Sequence, residues 1–115
     1  MTVTVYGIPN CDTVKKARVW LEARGIAYTF HDYKKAGADS AQVVRWVEQA
    51  GLDKVLNRAG TTFRKLSDAD KAGIDAAKGV TLMVAQPSLI KRPIVEYPGG
   101  LLVGFKDPDW AAALA

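Results

Sequence analysis

The chain has 115 residues, 49% of them apolar, with one cysteine, one histidine and a formal charge of +4, which fits one domain (1–115) around a single core. No apolar run reaches membrane-spanning length, and the start Met1-Thr2-Val3-Thr4 lacks the basic and apolar segments of a signal peptide, so a cytoplasmic protein without membrane contact is expected. One cysteine excludes an internal disulfide or dithiol mechanism, one histidine without clustered ligands disfavours a metal centre, and basic pairs scattered along the chain favour a small anionic substrate over direct nucleic-acid binding.

Val3 to Tyr6 reads as a buried strand, followed by the turn Gly7-Ile8-Pro9-Asn10. A helix is expected from Asp12 to about Arg24, with Val14, Ala17 and Leu21 on one face and Gly25 as its stop. Ile26 to Tyr33 then forms a second strand, and this strand–helix–strand order makes the first two strands parallel neighbours. Lys34 to Asp39 reads as a loop. Asp39 or Ser40 caps a helix to about Ala50, with Val43, Val44 and Val47 inward and Arg45 and Glu48 in water. A helical turn at Asp53 to Leu56 precedes an aperiodic loop from Asn57 to Thr62. Ser67 or Asp68 caps a helix to about Lys78, and Val80 to Gln86 is a short apolar helix broken at Pro87. Ser88 to Tyr97 and Leu101 to Phe105 flank Pro98-Gly99-Gly100 as an antiparallel hairpin, and Asp107 to Leu114 forms a closing helix with Pro108 in its first turn. The order β-α-β, several helices, β-β, α implies an α/β protein with a four-stranded mixed sheet.

Cys11 stands where the first strand hands over to a helix. A sulfur there meets unpaired backbone N–H groups and the positive end of the helix dipole, which favour its thiolate. Asn10, Asp12 and Thr13 make the surroundings polar, and Lys15 can lean back over the first turn. Asp12 acts in the opposite sense. The structural alternative is a small buried hydrophobe, the common fate of a free cysteine. His31 reads as a strand-end residue rather than a catalytic one.

Five stretches carry a family likeness over nearly the whole chain: Tyr6-Gly7-Ile8-Pro9-Asn10-Cys11-Asp12-Thr13-Val14-Lys15-Lys16-Ala17-Arg18, His31-Asp32-Tyr33, Leu56-Asn57-Arg58-Ala59-Gly60-Thr61-Thr62-Phe63-Arg64-Lys65-Leu66, Ile90-Lys91-Arg92-Pro93-Ile94 and Val103-Gly104-Phe105. In order and spacing they resemble the arsenate reductase/Spx (ArsC-like) family and its YffB-like branch of glutathione-dependent thiol reductases. The resemblance implies a thioredoxin-like fold, helices on the sheet's faces, with a helical insertion at about 38–86 between its βαβ and ββα halves. It implies that Cys11 is the nucleophile, that the Arg92-Pro93 bond is cis and faces it, and that Arg92 holds the anion or thiolate. The neighbouring loop supplies Asn57, Arg58 and Arg64, with Asn57 or Arg58 nearest to a second family arginine.

Departures from that pattern narrow the substrate. The third arginine of arsenate reductases falls near Phe105-Lys106, their histidine four residues before the cysteine is Gly7, and their serine three after it is Val14. A compact oxyanion wanting several bidentate donors would be poorly held. Spx regulators carry Cys-x-x-Cys where this chain reads Cys11-Asp12-Thr13-Val14. The resemblance therefore implies a single-cysteine thiol–disulfide reductase with no tightly bound cofactor and glutathione as co-substrate, acting on an oxidised or glutathionylated protein or small molecule. Asn10, Thr13, Lys15, Asn57, Arg58, Arg64, Arg92 and the backbone before Pro93 are its expected substrate and glutathione contacts. The alternatives are a glutathione-linked arsenate or oxyanion reductase and a non-catalytic Spx-like redox sensor. Trp20, Trp46 and Trp110 are either core residues or, in the second alternative, a surface for a partner such as RNA polymerase.

Overall fold

The computed structural model describes residues 2–114, so Met1 and Ala115, the ends of the expected domain, lie outside the described residues. In chain order its elements are β1 (Thr4–Gly7), α1 (Asp12–Ala23), β2 (Thr29–Asp32), α2 (Tyr33–Ala36), α3 (Ser40–Ala50), α4 (Leu52–Val55), α5 (Thr61–Arg64), α6 (Asp68–Lys71), α7 (Ala76–Ala85), β3 (Ile94–Tyr97), β4 (Gly100–Val103) and α8 (Asp107–Leu114), with a 3-10 turn at Pro87–Leu89. They form two compact units, Met1–Ala36 with Arg92–Ala115, and Gly37–Lys91 between these in sequence. No helix among the described residues is long and apolar enough to cross a membrane.

The first unit holds a mixed α/β sheet in the order β2-β1-β3-β4. β1 runs parallel to β2 and antiparallel to β3, and β3 to β4 is the hairpin. Val5 stands opposite both Phe30 and Val95, and this face buries Ala17, Trp20 and Leu21 of α1 with Trp110 and Leu114 of α8. Alternation turns Tyr6, His31, Ile94 and Glu96 to the other face, where the Tyr6 hydroxyl donates to Glu96 Oε1 at 2.5 Å and its ring tilts against His31 at 5.1 Å.

Trp20, Phe105 and Trp110 meet edge to face, with centroids 4.8–6.4 Å apart. Each indole N–H has an acceptor, Asp107 Oδ2 at 3.1 Å for Trp20 and Gly104 O at 3.0 Å for Trp110. Trp46 is also buried. The three tryptophans are thus core residues and offer no partner surface. Each large side chain taken out of water contributes about 1.5–3 kcal/mol.

Several boundaries differ from the sequence expectation. β2 ends at Asp32 because Asp32 Oδ1 accepts from the N–H groups of Lys34 and Lys35, at 3.1 and 3.2 Å, and opens α2 where a loop was expected. The strand expected from Ser88 starts only at Ile94, after the 3-10 turn and an isolated bridge of Ile90 to Leu56.

In the second unit, α3 buries Val43, Trp46 and Val47, whereas Val44, expected inward, is 37% exposed. At 100° per residue the positions 43, 46 and 47 share a face, and Trp46 takes the place the valine run suggested. The helix expected from Ser67 to Lys78 is two helices. Ser67 caps α6, Gly73 turns at φ 59°, and Asp75 accepts from Lys78 N at 2.8 Å to start α7. α5 occupies the end of the expected loop.

Candidate functional site

Sheet register gathers three segments of the first unit. Gly7, the last residue of β1, pairs with Asp32, so Tyr33 follows at the same end, and Cys11 begins the helix four residues beyond Gly7. β3 runs the other way, with Ile94 opposite Tyr6, so Arg92 and Pro93 enter there too. The Arg92-Pro93 bond is cis, as the resemblance implied.

Cys11 is the N-cap of α1, extended at φ −114° and ψ 127°, and its carbonyl accepts from Lys15 N at 2.9 Å. The half-buried thiol closes no capping hydrogen bond of its own. The thiolate is differently placed. Burial by itself pushes the thiol pKa up, but the Val14 N–H, the Arg92 guanidinium, the Thr13 N–H and the charge of Arg92 together bring it below the ordinary thiol value. The helix start therefore acts through its N–H groups, as expected, and the cation acting on the sulfur is Arg92. Lys15, which the sequence allows to lean back over the first turn, is exposed, as are Asn10 and Thr13.

Tyr33 was not among the expected site residues, yet it belongs to this cluster. Its ring is fully buried, and its phenol is paired with Arg92. Burial raises the phenol pKa well above the usual tyrosine value, against the opposing pull of Arg92. The stretch His31-Asp32-Tyr33 was visible as a motif, but only the register of β2 and the Asp32 cap reveal where its tyrosine goes.

The glycine before the site has a steric reason. A Cβ on Gly7 would lie 2.9 Å from Val14 Cγ2, and Val14 is fully buried. The two departures from the arsenate reductase pattern are thus coupled: beside Val14, position 7 has no room for a side chain without a shift.

Asn57, Arg58 and Arg64 lie in the second unit. Asn57 Oδ1 accepts from Ala59 N at 3.2 Å, Arg58 pairs with Asp53 at 3.3 Å, and the Arg64 guanidinium donates to Ala59 O at 2.9 Å. Asn57, Arg58, Lys54 and Lys91 help line an open cavity of about 340 Å³ there. Among the described residues, no three side chains of His, Cys, Asp or Glu gather as a metal set.

Residues 6–113 match the ArsC family. The solved YffB (PA3664) protein is 57% identical, with a TM-score of 0.96 over 98% of this chain and 99% of its own. An arsenate reductase (ArsC) related protein from Brucella melitensis is 54% identical, with a TM-score of 0.76 over 99% of this chain and 94% of its own. The global transcriptional regulator Spx of Listeria innocua is 28% identical over 109 residues, 93% of this chain and 82% of its own. With its four-stranded mixed sheet and these relatives, the chain belongs to the ArsC family and has that family's thioredoxin-like fold.

Proposed function

We propose that the protein is a glutathione-dependent thiol–disulfide reductase working through Cys11 alone. The observation that carries this reading is the setting of the sulfur, half-buried at the first turn of α1 with two backbone N–H groups and the Arg92 guanidinium favouring its charged form. A thiol shifted in that direction spends more of its time as the thiolate, the form that attacks a disulfide sulfur.

In the first step the Cys11 thiolate attacks the glutathione sulfur of a glutathionylated substrate. An S–S bond forms between Cys11 and glutathione, the substrate S–S bond breaks, and the substrate leaves as a thiolate. A second glutathione thiolate then attacks the glutathione sulfur of that mixed disulfide, releasing oxidised glutathione and restoring Cys11. Overall the substrate sulfur is reduced from disulfide to thiol and takes up the proton, while the one attacking glutathione is oxidised from thiol to disulfide; the glutathione carried through Cys11 is at disulfide level throughout. The second glutathione is needed because the chain has no other cysteine.

Within the first unit, Arg92 and Lys15 would meet the ligand's carboxylates, Asn10 and Thr13 would line its approach, and the backbone before Pro93 would pair with its peptide groups. Asn57, Arg58 and Arg64 enter this reading through the family resemblance alone. The close packing of Gly7 on Val14 weighs against the arsenate alternative, since it denies position 7 the histidine of that pattern. The regulator reading draws on the Spx likeness and lacks the second cysteine.

Incubation of the reduced protein with oxidised glutathione, followed by intact mass, tests the proposal. One adduct is expected, formed faster than on a free thiol and removed by added glutathione, and it should be absent in Cys11→Ser. Thiol exchange at full rate in Cys11→Ser would overturn the assignment.

A further inference from the structure

Arg92 must be aimed at the sulfur to act on it, and a half-exposed arginine has many rotamers to lose. We propose that Tyr33 is a positioning residue for Arg92, its buried phenol oxygen accepting from the guanidinium and so holding that cation against Cys11 Sγ. The inference rests on the reading of Cys11 as the working thiol and deepens it.

The geometry comes from the backbone upward. Asp32 is paired with Gly7 in the parallel ladder and caps α2 with its side chain, so the next residue, Tyr33, is fixed in both register and rotation. α2 lies against both β1 and β2, and the Tyr33 ring is 0% exposed. A buried phenol needs a polar partner, and a guanidinium can only donate. The β1–β3 register brings Arg92 to the same end of the sheet, where its planar fork can donate one arm to the phenol oxygen and another to the sulfur, the anchored arm setting the direction of the other.

The choice of a phenol has a consequence for charge. A carboxylate in that place would anchor Arg92 and also neutralise it. A phenol is uncharged across the physiological range by its ordinary pKa of about 10, and burial only moves it further from ionising, so the guanidinium is held while its full positive charge remains for the thiolate.

The test is the pH profile of Cys11 alkylation by iodoacetamide in the wild type, Tyr33→Phe, Arg92→Ala and the double variant, each checked for folding by circular dichroism. Tyr33→Phe keeps the ring and removes only the oxygen. A rise of roughly 0.5–1 pKa unit in the thiol is expected, the size of one hydrogen bond, with alkylation below the pKa slower by about three- to tenfold. In the Arg92→Ala background the same change should do nothing, because Tyr33 acts through Arg92. An unmoved profile in Tyr33→Phe, or an equal shift in both backgrounds, would overturn the positioning role while leaving the reductase reading intact. A wild-type profile like that of a free thiol would overturn both.

Discussion

Arg92 and Arg58 carry the same group in opposite settings. Arg92 is half-exposed beside a buried phenol and a half-buried sulfur, and the three interact within one end of the sheet. Arg58 pairs at 3.3 Å with Asp53, whose side chain is 91% exposed, in a short-range contact within the second unit. A charge acts strongly where water is partly excluded and its partner cannot turn away, and weakly where solvent screens both ions. The same contrast separates the units. Partners distant in sequence hold the first unit's candidate site, whereas Arg58 and Arg64 of the second unit bond to groups five residues away.

The largest effect expected from this contrast is that of Arg92→Ala. Removing a charge-assisted hydrogen bond from a thiolate should slow Cys11 alkylation at neutral pH by roughly 10- to 100-fold and raise the thiol pKa. Stopped alkylation across pH measures it. An unchanged profile would make Arg92 equivalent to a solvated surface cation and erase the comparison.

Two glycines sharpen it further. Gly7→Ala should destabilise the protein by about 1–2 kcal/mol in urea unfolding, because the new Cβ meets the branched, buried and stiff Val14. Gly79→Ala meets only the tip of Leu52, a longer and half-buried side chain that can rotate, and alanine recovers up to about 1 kcal/mol of helix propensity. The second substitution should therefore cost less than the first; equal losses would show that Val14 yields as readily as Leu52.

A subtler effect follows from linkage. The Cys11 pKa is lower folded than unfolded, so its contribution to stability is fully present above the unfolded thiol value of about 8.5 and is lost as pH falls through the folded value. The stability of the wild type relative to Cys11→Ser should grow as pH rises toward that range. Urea midpoints of the two proteins from slightly acid to alkaline pH would show it, and a gap that narrows with rising pH would mean that the fold disfavours the thiolate.

The smallest effect is expected at Arg58→Ala. Its exposed pair with Asp53 should contribute between zero and about 1 kcal/mol to unfolding, diminishing with added salt. A larger, salt-insensitive loss would place Arg58 in the same class as Arg92.

Where a structural feature depends on neighbours in sequence, it could be read directly. The start of α1 at Asp12, the buried positions Val14, Ala17 and Leu21, and the helix from Ser40 to Ala50 follow the 3.6-residue period, although Asp39, at the expected N-cap, closes no side-chain capping hydrogen bond. The placement of Cys11 at a helix start followed from the same local signs, and so did the expectation that backbone N–H groups favour its thiolate. Val44 and Trp46 show the limit of that reading, since three valines outweigh one tryptophan on paper while helix rotation buries the tryptophan. The break between α6 and α7 was hidden for another reason. Gly73 could sit inside a helix at a modest cost, and only the Asp75 cap beyond it selects the interruption.

By itself the sequence determined the α/β order, the family resemblance and the position of a single thiol at the first turn of a helix, because each depends on residues close together along the chain. The resemblance put Arg92 at that thiol, but only tertiary structure supplies the physical route by which a residue so distant in sequence gets there. Lys15 is four residues from Cys11 and Arg92 is 81 away by number (92 − 11), yet the β1–β3 register brings in the distant one and the buried Tyr33 holds it, while Lys15 turns to water. Strand pairing ignores separation along the chain, and burial then sets how strongly a charge is felt.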